Sequence, residues 1–269
     1  MNCCIVGHDR HHCNKPIYSI GVILVTPYDD PPKVLMVQRK QSIGFIEYVK
    51  GHYDSYSLDT VWLLIHDMTK DERDKIVSMS FDDLWLSVWS GDTSGRRSHR
   101  MYIESEQKYL RTIDIIRRRQ ADVIYRRSGL EWGFPKGHRM DASECDICCA
   151  VRELEEETNV VSSDFIVVAE PPYEEHIVGM NSKKYIYVYY LCYAKRGDIG
   201  YISETNRWQQ GEIGNLRWMT LEDALSVTDS DNVARVAMLT DIFGSLAVES
   251  KQEGKQERES DSQTVSLRI

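Results

Sequence analysis

The first hydrophobic stretches of the chain come as two short runs around a polar turn. Residues 17 to 27, IYSIGVILVTP, and 33 to 39, KVLMVQR, are rich in β-branched and apolar residues and flank the turn signal YDDPP, so they predict two strands. After Lys40 the period changes. LDTVWLLIHDMT, KDERDKIVSMS and FDDLWLSVW space their apolar residues as helices do, with Asp or Ser near their starts, which makes 41 to about 128 a helical block. Its last helix, roughly 103 to 126, is expected to bury a face made by Ile103, Gln107, Leu110, Ile113, Ile116, Gln120, Val123 and Ile124, turning Arg118 and Arg119 outward. Strand patterns return at 130–134 (LEWGF), 164–170 (DFIVVAE), 184–194 (KYIYVYYLCYA) and 215–219 (NLRWM), followed by the helical segments TLEDALSV and NVARVAMLTDIFGSLAV. The pattern is that of a sheet interrupted in sequence by helices. From Glu249 onward almost nothing can be buried, and a disordered tail is expected over 249–269.

Composition changes this picture little. With 269 residues, 42% hydrophobic and 28% charged, the chain can bury a sizeable core. No apolar run reaches bilayer length, so no membrane span is expected, and the N-terminus lacks the apolar core and cleavage site of a secretory signal. The seven cysteines (Cys3, Cys4, Cys13, Cys145, Cys148, Cys149 and Cys192) are odd in number, which predicts a reducing compartment rather than a disulfide framework. Cys145 and Cys148 form a CxxC in a predicted helix, where core packing is the simpler account. The N-terminal segment 1–15 crowds Cys4, His8, His12 and Cys13 together with Cys3 and His11; structural Zn²⁺ on the first four is one reading and chance clustering the other, since the spacing is irregular.

Charge changes it more. The net charge of −9 excludes uniform coating of nucleic acid, yet residues 96–127 hold ten basic against four acidic side chains. Arg111, Arg117, Arg118, Arg119, Arg126 and Arg127 are therefore candidate contacts for an RNA phosphate track, the plainer alternative being an ordinary basic helix face.

The chemistry is concentrated in GHRMDASECDICCAVRELEEETNV, residues 137–160. On a helix Glu153, Glu156 and Glu157 stand at i, i+3 and i+4, so three carboxylates share one face and can share a hard divalent cation, while Glu155 points elsewhere. Arg152 is four residues before Glu156, the spacing at which a guanidinium holds a carboxylate. Ala150, Val151 and Leu154 offer an apolar surface for docking on the sheet, and the preceding Trp132-Gly133-Phe134-Pro135-Lys136-Gly137 brings Lys136 and Gly137 to the place where phosphates are expected. An acidic run is more often a solvated helix face. Here a glycine, the upstream Glu144, the Arg-Glu and Glu-Glu pairs and the closing Val160 fall in one frame, and that frame resembles the Nudix hydrolase signature. Two departures stand out: six residues, HRMDAS, separate Gly137 from Glu144 where the family has five, and Asn159 replaces the family's closing glycine, a mild change because Asn tolerates a left-handed helix end.

More of the chain is similar to the mRNA-decapping Nudix proteins of large cytoplasmic DNA viruses, African swine fever virus type, and more distantly to the eukaryotic mRNA-decapping enzyme. The similarity rests on EWGFPKG, on SIGFIEY followed by Gly51-His52-Tyr53, on Met68-Thr69-Lys70-Asp71-Glu72-Arg73 and on Phe81-Asp82-Asp83-Leu84-Trp85. It implies an α/β (α+β) fold, the Nudix α/β/α sandwich with a mixed sheet, in which a discontinuous Nudix domain (16–40 and 129–248) is interrupted by an inserted helical, RNA-binding domain (41–128). It also implies hydrolysis of the cap triphosphate bridge of capped mRNA, releasing m7GDP and 5′-monophosphate RNA in the host cytoplasm. Mg²⁺ or Mn²⁺ would sit on Glu153, Glu156 and Glu157. Glu157, Glu156, Arg152 and Glu212 are the catalytic candidates, with Glu204 an alternative to Glu212. Inositol pyrophosphates, or dinucleoside polyphosphates, are alternative substrates of the same class, and a catalytically silent RNA-binding module is the alternative of another class. Phe134, Tyr173, Tyr189 and Trp208 are candidates to stack on the methylated guanine. Trp85 and Trp89, at i, i+4, are expected in the core of the inserted domain rather than under a base.

Overall fold

A computed structural model describes residues 15–89, 99–119, 129–168, 171–179 and 183–248. The N-terminal Cys/His cluster, Arg126, Arg127 and the C-terminal 249–269 lie outside the described residues. In chain order the strands are β1 (Ile17–Thr26), β2 (Lys33–Arg39), β3 (Trp132–Gly133), β4 (Lys136–Gly137), β5 (Phe165–Val167), β6 (Tyr173–Val178), β7 (Lys184–Ala194) and β8 (Ile213–Met219). They make one mixed sheet. β1 and β7 run parallel in a nine-pair register from Ile17 opposite Tyr185 to Val25 opposite Tyr193, and the other pairings are antiparallel: β2 with β1, β3 and β8, β4 with β1, and β5 and β6 with β7.

The unbroken apolar run of β1 is explained by burial on both of its faces. Ile20, Val22 and Leu24, with Leu35 of β2, pack on Cys149, Ala150 and Leu154 of the helix Asp146–Thr158. Ile23 and Val25, with Val34 and Met36, pack on the other side against Phe134, Tyr189 and, from the helix at 233–248, Leu239 and Ile242. Helices therefore cover both sides of the sheet, and the chain has the expected mixed α/β sandwich.

Among the described residues, five helices lie between β2 and β3: α1 (Ile43–Val49), α2 (Leu58–Asp67), α3 (Lys70–Ser78), α4 (Phe81–Val88) and α5 (His99–Arg119). Their starts are written in the sequence. Ser42, Thr69 and Ser80 each accept a backbone N–H of the first turn, and Thr69 forms a capping box with Glu72. Glu72 also accepts the Ser42 N–H at 2.7 Å, so one buried carboxylate ties α3 to the start of α1. Where α1 crosses α2, a Cβ on Gly44 would lie 2.3 Å from the Leu64 carbonyl oxygen; only glycine permits that approach. These helices enclose a core of their own, with Phe45, Tyr48, Ile65, Leu84, Trp85, Tyr109, Ile113 and Ile116 buried and Trp89 packed at its margin.

The buried stripe of α5 differs from expectation. It runs through Ser105, Tyr109, Thr112, Ile113 and Ile116, while Leu110 is exposed. The aromatic core decides this: Tyr109 packs on Tyr48 and Phe81, and Thr112 bonds the Tyr48 hydroxyl at 2.9 Å. Arg111, Arg117, Arg118 and Arg119 are exposed on α5. β4 and β6 were not legible, the first being two residues long and the second, YEEHIV, mostly polar. After Thr158 come two further short helices, α7 (Arg207–Glu212) and α8 (Leu221–Val227), the first unheralded by any apolar period. The Asp146–Thr158 helix is α6, called αN below. The CxxC is also corrected. Cys145 and Cys148 are exposed, because they fall on the solvent side at the start of αN, and are joined by a disulfide; among the described residues Cys149 and Cys192 are buried free thiols. Among the described residues no helix is long and apolar enough to cross a membrane.

Candidate active site

αN docks through Cys149, Ala150 and Leu154, which turns Arg152, Glu153, Glu156 and Glu157 toward the loop that joins β4 to it. Arg152 organises this face. Its Nε and Nη2 donate to the two oxygens of Glu144 at 2.8 and 3.0 Å, its Nη1 donates to Glu153 at 2.8 Å and Glu156 at 3.2 Å, and Nη2 also reaches the His138 carbonyl at 2.9 Å. The expected hold on Glu156 is present, but the two-pronged bond to Glu144 is the tighter one. That bond pulls the Glu144 carboxyl below its ordinary range. In the longer loop Glu144 also accepts the Met140 N–H at 2.7 Å, while Arg139 pairs with Asp146.

Glu153 packs on the backbone of Gly137, where a Cβ would stand 2.1 Å from its carboxyl group. The glycine that opens the motif is thus needed as space for an acid sixteen positions later. Burial pushes the Glu153 carboxyl up, with the Arg152 hydrogen bond opposing. Glu157 lies deeper: its Oε2 accepts the Lys136 N–H at 3.2 Å, and burial drives its carboxyl well above the carboxylate range, against the pull of Lys136 and with the help of Glu212. The Lys136 ammonium is correspondingly disfavoured, first by burial and then by Arg39. Its Nζ sits 4.9 Å from the centre of the Tyr187 ring.

Glu212 ends α7, exposed, within electrostatic reach of Glu153 and Glu157, and its carbonyl accepts the Lys40 N–H at 2.8 Å. Lys50, at the end of α1, feels the charge of Glu212 as well, so the helical block comes up to the rim of the acid cluster. Glu204 is exposed in the loop before α7. Asn159 closes αN in the left-handed region at φ 57°, as anticipated, and its side chain bonds the Tyr201 carbonyl and Gln209, fixing α7 beside the acids.

Among the described residues no group of three His, Cys, Asp or Glu side chains is already gathered as a metal cage. Arg152 Nη1 instead bridges Glu153 and Glu156. The donor set nevertheless suits a hard divalent ion: the acids are all oxygen donors, Gly137 leaves room for the Glu153 carboxyl, and two of the carboxyls are pushed up by burial.

The stacking candidates divide. Phe134 and Tyr189 are buried and pack on each other edge to face at 5.1 Å, so neither presents a ring to a base. Tyr173 donates its hydroxyl to Asp241 at 2.9 Å, and Trp208 is exposed on α7. The aromatic beside Lys136 is Tyr187, which sequence reasoning passed over inside a strand with four other tyrosines. Also passed over was a buried ion pair behind β3: Arg235 holds both oxygens of Glu175 at 3.1 Å and donates to the Trp132 carbonyl at 2.8 Å, and Asn232 and Tyr189 complete the carboxylate's partners. The only clue would have been one glutamate in place of an apolar residue on the inner face of β6.

Comparison with known proteins places this geometry. The NUDIX domain model matches residues 108–239. The chain is 27% identical over 281 aligned positions to a protein of Acanthamoeba polyphaga mimivirus named "Putative mRNA-decapping protein", covering 90% of this chain and 76% of that one. It is 25% identical to the mRNA-decapping protein g5R of African swine fever virus (isolate Pig/Kenya/KEN-50/1950), covering 76% of this chain and 85% of the relative. Among solved structures, a C. elegans Ap4A hydrolase binary complex superposes with a TM-score of 0.45 at 14% identity, covering 86% of this chain and 97% of that one.

Proposed function

We propose that this chain, a Nudix hydrolase, cleaves the triphosphate bridge of capped mRNA, releasing m7GDP and RNA with a 5′-monophosphate, through the acids of αN. The observation that carries the reading is the convergence on one helix face of Glu153, Glu156 and Glu157 around Arg152, with Lys136 beside Glu157. Relatives named for decapping align over 76–90% of the chain, a span that takes in the helical block as well as the Nudix domain. We assign 16–40 and 129–248 to the Nudix domain and 41–128 to the inserted, RNA-binding domain, on the ground that the helical block has a core of its own.

Nudix hydrolases generally use Mg²⁺ or Mn²⁺, and Glu153, Glu156 and Glu157 would hold the ion here. When bound, it supplies neutralisation of the bridge and a more acidic water. The chain's own residues do the rest. Arg152 ties Glu144 of the preceding loop to Glu153 and Glu156 on the helix, Lys136 places a cation beside the phosphates, and Glu212 at the rim takes the proton of the attacking water at its carboxylate. Exposed Arg111, Arg117, Arg118 and Arg119 on α5 lead the RNA phosphates away from the bridge in the host cytoplasm.

Cap-labelled RNA incubated with the protein and Mn²⁺ tests the reading. Labelled m7GDP is expected from the wild type and a loss of about 10²- to 10⁴-fold in Glu156→Gln and Glu212→Gln. Diphosphoinositol polyphosphates and dinucleoside polyphosphates run in parallel: cleavage of these without any m7GDP would replace capped RNA as the substrate, and no cleavage of any would leave a silent RNA-binding module.

A further inference from the structure

Cys145 and Cys148 stand at the joint between the loop from β4 and αN, and the proposed hydrolysis does not use them. Ser42, Thr69, Ser80, Asn206 and Thr220 cap their helices with side-chain oxygens, whereas αN is capped by sulfur: Cys145 Sγ accepts the Cys148 N–H at 3.2 Å. Sulfur is a weak acceptor, so this cap is weak by itself. What reinforces it is the bond between the two sulfurs. The same turn sets the Arg152 clamp. Glu144, the neighbour of Cys145, lies with both oxygens on Arg152 at 2.8 and 3.0 Å, and Arg152 Nη1 continues to Glu153 and Glu156. On the other side of Cys145, Asp146 holds Arg139 of the loop.

Accessibility fits exchange chemistry at this pair. Cys145 and Cys148 are exposed, whereas Cys149 and Cys192 are buried, with burial pushing each of those thiols up to about 12; among the described residues the exposed pair is therefore the one that meets a solute. The first turn of a helix favours negative charge, and the thiolate is the nucleophile of thiol–disulfide exchange. A disulfide between residues three apart closes so short a loop that it constrains the unfolded chain little, and an exposed disulfide is of the labile, regulatory kind rather than a structural staple.

We propose that Cys145 and Cys148 form a thiol–disulfide exchange site for small-molecule disulfides of the glutathione class, and that its closure keeps Glu144 in the grip of Arg152. Its control over hydrolysis rests on the αN acids being the hydrolytic site, and not on capped RNA being the substrate. In the exchange one cysteine, having given its proton to water, attacks a sulfur of the small disulfide, and one small thiolate leaves. The second cysteine, likewise deprotonated, displaces the other small thiolate as the Cys145–Cys148 bond forms. The pair is oxidised by two electrons, and the small disulfide is reduced to two thiols that take up the two protons. In excess small thiol the steps run backwards: the cap weakens, Glu144 leaves Arg152 more often, and Glu153 and Glu156 lose a fixed partner.

The test equilibrates the full-length protein with oxidised or with reduced glutathione, alkylates it, and measures the mass of the peptide that carries both cysteines. The pair is expected to be closed in the first buffer and to take two alkyl groups in the second. Hydrogen exchange without divalent ions reads the clamp: the amides of 140–150 are expected to exchange about fivefold faster in the reduced protein, the size of one lost helix cap. The Mn²⁺ concentration for half-maximal hydrolysis, of capped RNA or a dinucleoside tetraphosphate, is expected to rise by about the same factor. Cys148→Ser is expected to behave as the reduced protein in both buffers. Cys145→Ser, which exchanges the sulfur cap for an oxygen, is expected to ignore glutathione as well but to keep the slow exchange of the oxidised protein. A pair that never closes, or equal amide exchange in the two forms of the wild type, overturns the inference. If the pair closes and the amides respond while capped RNA yields no m7GDP in either buffer, this inference stands and the capped-RNA reading falls.

Discussion

Glu157 bears two opposed demands in one carboxyl: it stands with Glu153 and Glu212, which disfavour its charge, and beside Lys136, which favours it. Burial wins, and the carboxyl is held up, near 8 against an ordinary 4.5. The sign of the consequence follows from proton counting. Between those two values the unfolded chain has released this proton and the folded chain keeps it, so folding is progressively penalised as pH rises. Without divalent ions, the melting temperature is therefore expected to decline from about pH 4.5 toward pH 8, in Glu157→Gln less steeply, and with Mn²⁺ present less steeply again. Thermal unfolding in EDTA across that range checks it; identical slopes for wild type and Glu157→Gln would remove the assignment. Arg152 shows the complementary economy at the same scale, one guanidinium serving three carboxylates so that none is left to drift.

Elements are placed by what they bury. αN is oriented by Cys149, Ala150 and Leu154, and its acids face the site as the remainder of that choice. On the opposite face of the sheet, the helix at 233–248 delivers Arg235 to Glu175 of β6 and to the carbonyl of β3, and so braces the short strand that leads to Lys136. Arg235 Nε is buried without a hydrogen-bond partner, which marks the arrangement as tight rather than fully satisfied. Removing one member of such a pair strands the other charge. Arg235→Met is expected to cost about 3–5 kcal/mol of stability, read by urea denaturation. Arg235→Met combined with Glu175→Leu is expected to recover part of the loss. If the single variant melts as the wild type does, the pair is no brace.

The whole molecule joins the sheet, packed on both faces, to the core of the helical block through the two chain crossings at Arg39–Lys40 and Glu131, where the Arg39 N–H meets the Glu131 carbonyl at 3.0 Å and Lys40 is bonded to α7 through its N–H and Nζ. If the helical block carries RNA, its charge acts on long substrates alone. Arg118→Glu with Arg119→Glu is expected to weaken RNA binding, to lower the slope of log affinity against log salt by about 2, and to leave hydrolysis of a dinucleoside tetraphosphate unchanged. Equal loss on both substrates would place those arginines in the fold rather than on the track. At this scale the part played by sequence can be separated from that of tertiary structure. Local chemistry alone determined the strands around YDDPP, the capped helices after Ser42, Thr69 and Ser80, the shared face of Glu153, Glu156 and Glu157, and the left-handed end at Asn159, because each depends on neighbours within one or two turns of chain. Tertiary packing alone decided which face of α5 is buried, that Phe134 and Tyr189 are core while Tyr187 lies beside Lys136, that Glu175 meets Arg235 sixty residues on, and that Gly137 is the space for Glu153. Those outcomes depend on distances across the sheet between residues remote in the chain, and no local period records them.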